Sequence, residues 1–440
     1  MWDKLIKRYV CVASYEAAIQ ALHGLQSNSN YLKLVTKDNS QASAVRKLRD
    51  TNKYLIRSGI TLEKLDTLSV IHIAGTKGKG STCAYTEAIL REHGFKTGFF
   101  SSPHLVNARE RIRISGQPIS KIQFTQNFWK IYKKLEDTKE HESDMPTYFK
   151  FLTILMFNIF LDEHVDVAII EVGIGGLYDC TNIVRNPVCV GITSLGLDHT
   201  SLLGNTVEDI AYQKSGIFKS GTVAFSVPQL SQAMRILEER AIERNSIQMA
   251  TEWLLTRDKV ASVSMDKIAI ALTSCKWPGR MQILRSSIGD FFLDGAHTIE
   301  SIECCISWFN DTSSGSKGKK VLIFNTSGTR DPIQLLIPLR SLHFYKAYFV
   351  PNLVGIKSLD NEMNSSSTDE QRIKCEINSK IWGMNSVVAN NVLEVLEDIK
   401  KNLVQKDNCE RYQILVTGSL HLIGAVLAIL DPNLTMNTEF

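Results

Sequence analysis

A glycine-rich heptapeptide between an apolar run and an amphipathic stretch constrains this chain more than anything else in it. Leu68, Val70, Ile71, Ile73 and Ala74 form an apolar run of the length of a buried strand. Gly75-Thr76-Lys77-Gly78-Lys79-Gly80-Ser81 follows, too rich in glycine to continue either a strand or a helix. Residues 82–93 then place Ala84, Ala88 and Ile89 on one helical face, and Gly94 supplies a stop. Strand, glycine loop and helix in that order make a phosphate site for a physical reason. Without side chains, several backbone N–H groups converge on one anion, and the helix N-terminus adds unpaired N–H groups and a positive dipole end. In such a loop Gly78 and Gly80 let the backbone approach, Lys79 bridges the terminal phosphates, and the Ser81 hydroxyl meets a magnesium ion.

The rest of the chain sets the scale and excludes several classes. With 440 residues it is too long for one core and divides into two α/β domains, residues 1–276 and 277–440. The net charge of +4 is too small for a large nucleic-acid footprint, so the basic loop suits small anions. No run of about 18 apolar residues is present, which argues against a membrane span. Nine cysteines, an odd number without a C-x-x-C pair, point to reduced thiols rather than a disulfide framework or a zinc site, and Cys304-Cys305 read as buried small apolar residues. Residues 1–10 read either as a frayed terminus or as a short basic mitochondrial leader.

Two further places carry chemistry. Residues 166–172 are apolar except for Asp166 and Glu171, and Gly173-Ile174-Gly175-Gly176 follows. A carboxylate does not belong inside a buried parallel strand, but the carboxyl ends of such strands are where ligands sit, so Glu171 reads as functional. Residues 188–193 form another strand, running into Ser194-Leu195-Gly196-Leu197-Asp198-His199. His199 stands just past that strand end, yet magnesium prefers oxygen, so the residues alone leave it structural or ligating. Thr206 opens a helix with a capping-box pattern, and Lys214 falls two turns in.

The spacing of the glycine loop departs from G-x-x-x-x-G-K-[ST], because Gly80 separates Lys79 from Ser81. The form G-T-x-G-K-G-S resembles the loop of the Mur ligase superfamily, in which ATP drives amide-bond formation. Phe99-Phe100-Ser101-Ser102-Pro103-His104-Leu105, Arg109-Glu110-Arg111-Ile112-Arg113-Ile114 and Thr417-Gly418-Ser419-Leu420-His421-Leu422 resemble folylpolyglutamate synthase of the eukaryotic type. The resemblance implies a P-loop ATPase domain with a mostly parallel sheet, followed by a smaller Rossmann-like domain. It implies ATP, Mg2+ and a monovalent cation such as K+ as cofactors. Tetrahydrofolates and L-glutamate are the implied substrates of a monomer in the cytoplasm, the mitochondrion or both. By the same match Ser102, Glu171 and His199 bind magnesium, and Lys214 is the lysine commonly carbamylated in Mur ligases. Arg280 and Asp294 serve ATP, His297 the glutamate side, and Tyr148 and Phe149 lie beside the pteridine pocket or in the core. Ser215 stands where the family mostly has glycine or alanine. The chain departs from the family before Trp277, where a segment that contacts adenine is missing. A truncated form with weak or no turnover is therefore one alternative, and a dihydrofolate synthase, which uses the same chemistry on dihydropteroate, is another.

Overall fold

The computed structural model describes residues 14–25, 41–244, 263–315, 318–326, 330–355, 368–404 and 411–436. The polypeptide divides into two compact units. The first comprises residues up to Pro103 together with Ala108–Cys275, and the second comprises Lys276–Phe440 together with His104–Asn107. Both are built on mostly parallel sheets.

The first unit has seven strands: β1 (Val70–Ala74), β2 (Thr97–Phe100), β3 (Ile112–Ile114), β4 (Gln117–Pro118), β5 (Val167–Glu171), β6 (Cys189–Ile192) and β7 (Val223–Ser226). Their order is β4-β3-β2-β5-β1-β6-β7, with β2, β5, β1, β6 and β7 parallel and only β3 and β4 antiparallel. Every residue of β1 and β5 is buried, as expected for strands covered on both faces. The helix Tyr148–Asp162 is apolar almost all round and lies in the core, where Phe151 packs on Phe128. Gly98 of β2 has no Cβ, which gives the Phe160 ring its place against the sheet. Tyr148 is buried, stacked on His23 and under the Arg111 guanidinium, whereas Phe149 is half-buried beside Phe100.

The second unit has six strands: β8 (Gln282–Ser286), β9 (Gly289–Leu293), β10 (Lys320–Phe324), β11 (Lys346–Phe349), β12 (Ser386–Val388) and β13 (Tyr412–Thr417). The order is β12-β11-β10-β13-β9-β8, all parallel but β8. Val106 is part of this unit's core, and Gly424 approaches Leu105 so closely that a Cβ would stand 2.2 Å from its carbonyl oxygen.

The structure revises several local expectations. The phosphate-loop helix runs Lys79–Glu92, so it begins three residues before Thr82 and takes in Lys79, Gly80 and Ser81 of the glycine loop. Gly78, at φ 83°, makes the turn into it. Cys305 is buried but Cys304 is exposed, because successive residues of the helix Ile299–Ser313 face different ways. The polar, serine-rich composition of 361–370 predicts a loop; residues 361–367 lie outside the described residues, and Thr368 opens the helix Thr368–Trp382. Trp253, Leu254 and Leu255 also lie outside the described residues. Met265–Ser274 forms a helix, capped by Ser264, that packs on the phosphate-loop helix.

Candidate active site

The parallel register brings the exits of β2, β5, β1 and β6 to one edge of the first sheet. That edge carries, in spatial order, Ser102, Glu171, the glycine loop and His199. Carboxyl ends of parallel strands are where open α/β sheets take ligands.

The loop is shaped by its neighbour. Thr76 and Lys77 both donate their amides to the Ser194 carbonyl, at 2.9 and 3.1 Å, and the Thr76 hydroxyl reaches the Gly196 carbonyl at 3.0 Å. Gly75 must lack a side chain, since a Cβ would stand 1.8 Å from the Thr193 hydroxyl and its φ is 150°. Lys79, Gly80 and Ser81 occupy the first helical turn, whose amides have no intrahelical acceptor and point toward any bound anion.

Two ammonium groups meet at one carbonyl. Lys79 Nζ donates to the Gly75 oxygen at 3.0 Å, and Lys214 Nζ donates to the same oxygen at 2.7 Å. Lys214 is not the solvated helical lysine its surface-helix setting would suggest; it is 4% exposed. Burial, with repulsion from Lys79, lowers its pKa to about 7. Lys77 pairs with Asp198 at 3.3 Å. Lys77 and Asp198 were visible in the sequence, but nothing there joined residues 121 positions apart.

Glu171 ends β5 beside Ile73 of β1 and is 5% exposed. Its Oε2 accepts the Ser102 amide at 3.0 Å, so two of the three expected metal residues are in contact. His199 lies on the exit of β6, two strands from Glu171, in the left-handed region at φ 51° with its amide on Asp198 Oδ1. Among the described residues no three His, Cys, Asp or Glu side chains converge as a metal cage. A buried carboxylate beside a phosphate loop nevertheless fits magnesium, which takes one or two carboxylates and completes its shell with phosphate oxygens and water.

In the second unit, Asp294 follows β9 and is 8% exposed. Its two oxygens accept the Met281 amide at 2.9 Å and the Ala296 amide at 3.0 Å. Burial raises its pKa, while those amides and the Arg280 charge pull the other way. A Cβ on Gly295 would stand 2.6 Å from the Arg280 guanidinium, so the arginine side chain packs directly on this turn. His297 Nδ1 lies 2.6 Å from the Gly295 carbonyl, which makes Nδ1 the protonated nitrogen and leaves Nε2 an acceptor in the neutral ring. Arg280, just ahead of β8, thus lies beside the turn after β9 that carries Asp294 and His297.

Comparison with known proteins bears on the family and the fold. No family model matches the chain. The mitochondrial folylpolyglutamate synthase of Bos taurus is 37% identical, over 96% of this chain and 93% of its own length. The Homo sapiens enzyme is 41% identical over 84% of this chain and 73% of its own. The bovine match extends over 546 positions although this chain has 440 residues, so more than a hundred positions of the relative have no counterpart here. Among solved structures, E. coli FolC in complex with DHPP and ADP is 25% identical with a TM-score of 0.68, covering 87% of this chain and 93% of that one. A Mycobacterium tuberculosis folylpolyglutamate synthase complexed with ADP, 22% identical, shares the fold with a TM-score of 0.72 over 95% of this chain and 99% of its own. The two mostly parallel α/β units are those of the Mur ligase fold. With full-length relatives well above 30% identity, the chain belongs to the folylpolyglutamate synthase family.

Proposed function

We propose that this chain adds L-glutamate to the γ-carboxylate of tetrahydrofolate and its polyglutamates, using ATP and releasing ADP and phosphate. The observation that supports it most is the phosphate loop at the end of β1, with Lys79 and Lys214 on the Gly75 carbonyl and Glu171 on the adjacent strand. A free carboxylate is a poor electrophile. One of its oxygens attacks the γ-phosphorus of ATP, ADP leaves, and an acyl phosphate results; the glutamate amine then attacks the acyl carbon and phosphate leaves. Amides of Gly78, Lys79, Gly80 and Ser81 orient the phosphates, and Lys79 offsets the charge that builds during transfer. Glu171, Ser102 and His199 would hold magnesium, which supplies further neutralisation of the phosphates. Arg280 and Asp294 serve the nucleotide, and His297 Nε2 accepts the proton that the amine loses on acylation. The first unit is thus the ATP-binding domain and the second the glutamate-ligating domain of a monomer. The relatives' mitochondrial names and the basic residues of 1–10 support a mitochondrial location in addition to a cytoplasmic one.

Folate labelled with 18O in its γ-carboxylate tests the mechanism. One 18O should appear in each phosphate released, and unlabelled phosphate would rule out the acyl phosphate. Dihydropteroate as acceptor separates this activity from dihydrofolate synthesis, and it should give no product.

The absence of more than a hundred positions present in the bovine relative favours a second feature, weak recognition of the adenine. Each lost buried hydrogen bond is worth about 0.5–1.5 kcal/mol, so two or three weaken ATP roughly 10- to 1000-fold. GTP should then compete nearly as well as ATP. Strong selectivity for ATP would refute this and would point to the helix Met265–Ser274 as a wall for the base.

A further inference from the structure

His72 sits in the middle of β1, fully buried, where a valine or isoleucine would be the ordinary choice. Its Nε2 lies 2.8 Å from the Thr181 hydroxyl, and that hydroxyl lies 2.6 Å from Asp179 Oδ1. The hydroxyl has one proton, which goes to the carboxylate, so its lone pair accepts from Nε2–H. His72 is therefore the neutral Nε2–H tautomer; burial, with the Lys219 charge behind it, holds its pKa at about 3. Its Nδ1 is buried and has no hydrogen-bond partner among the described residues, a cost to stability that an aliphatic residue would avoid.

At the far end of this chain, Asp179 Oδ1 also accepts the Thr181 amide at 2.9 Å, and Oδ2 accepts the Ile174 amide at 3.1 Å, with the Gly173 amide adding to it. Gly173 and Ile174 belong to the turn that leaves β5 just after Glu171. That turn in turn supports the helix Val207–Ser215. A Cβ on Gly176 would stand 2.7 Å from the Lys214 carbonyl, and the Leu177 amide donates to the Gln213 carbonyl at 2.7 Å. Asn182 Nδ2 donates to the carbonyls of Leu177 and Gly216, each at 3.0 Å.

We propose that His72 and Thr181 are positioning residues: the buried chain His72–Thr181–Asp179 fixes the turn after Glu171 and, through it, the end of the helix that sets Lys214 against the Gly75 carbonyl. Its functional part rests on the reading of Glu171 and Lys214 as site residues. The device ties the strand that feeds the phosphate loop to the turn that follows the buried carboxylate, so that both sides of the site share one geometry.

The test uses Thr181→Val, which keeps the shape and removes the hydroxyl, and Thr181→Ser, which restores it. Hydrogen exchange of the whole protein is followed at Gly173 and Ile174, together with the magnesium half-saturation, KM for ATP and kcat of glutamate addition. Thr181→Val should speed exchange at both amides about three- to tenfold, the factor one net hydrogen bond carries, and lower kcat or raise the magnesium requirement by a similar factor. Thr181→Ser should match the parent protein in all of these. Unchanged exchange in Thr181→Val would overturn the chain itself. Faster exchange and a lower melting temperature with unchanged magnesium response and kinetics would overturn its positioning role and leave it structural. A parent protein that adds no glutamate would instead refute the proposed function, while exchange at Gly173 and Ile174 would still decide whether the chain fixes the turn.

Discussion

At the carboxyl edge of the first sheet cations crowd: Lys79 and Lys214 share one carbonyl oxygen, and Lys77 stands beside them on Asp198. At the carboxyl edge of the second sheet the buried groups are mostly neutral, Asn325, Thr326, Thr417 and Ser419, with Asp294 held by two amides. The architectures are alike, parallel strands whose exits converge, but the electrostatics are not. The first edge suits polyanions, whereas the second offers directional hydrogen bonds. Fold alone would not separate these tasks; the side chains on the strand exits do.

Removing Lys79 should break the comparison most completely. Lys79→Ala is expected to lower glutamate addition at least about 100-fold, as loss of a charge-stabilising group in phosphoryl transfer does. Its melting temperature should stay near that of the parent, since among the described residues Lys79 bonds to carbonyls of its own loop. At the second edge, Asp294→Ala should cost about 2 kcal/mol of stability in urea unfolding, because the Met281 and Ala296 amides lose their acceptor inside the fold. An intact protein with normal stability after that change would mean the turn does not depend on Asp294.

Glu171→Gln sharpens the contrast further. It removes the one carboxylate of the expected metal set and should raise the magnesium half-saturation at least about tenfold. An unaltered magnesium titration would place the metal elsewhere. The last contrast is a pH dependence. Lys214 loses its proton near pH 7 in the folded protein and near 10.5 in the unfolded chain, so between those values the unfolded chain binds the extra proton. Its contribution to stability therefore rises with pH across that window, by at most about 1.4 kcal/mol per pH unit, and is flat below pH 7. The difference in unfolding free energy between the parent and Lys214→Met should follow that slope; a difference independent of pH would mean Lys214 stays charged.

Much of the first edge was legible in the sequence because its signals are local. An apolar run, a glycine loop and a helical face adjoin one another around Lys79, and Glu171 announces itself as an acid in an apolar strand. What could not be read depends on long-range packing. The helix starts at Lys79 despite the poor propensity of Gly80, because the loop is docked on Ser194 and Gly196 and hands the chain to the helix early. The burial of Lys214 follows from Gly75, 139 residues away, and the role of His72 from Thr181, 109 residues away. The short strands β3, β4, β8 and β12 carry too few residues to show a period of two. In the second unit, Arg280, Asp294 and His297 were marked by resemblance, but the approach of Arg280 to the Gly295 turn and the hold of the Gly295 carbonyl on His297 emerged only from the fold.

The most direct measurement is glutamate addition by the purified protein with ATP, magnesium, tetrahydrofolate and isotopically labelled L-glutamate. Label should enter a longer-tailed folate with one ADP formed per glutamate, and should be lost when ATP is omitted or Lys79 is replaced by alanine. Binding of nucleotide without any transfer of label, or equal transfer by Lys79→Ala, would contradict the account.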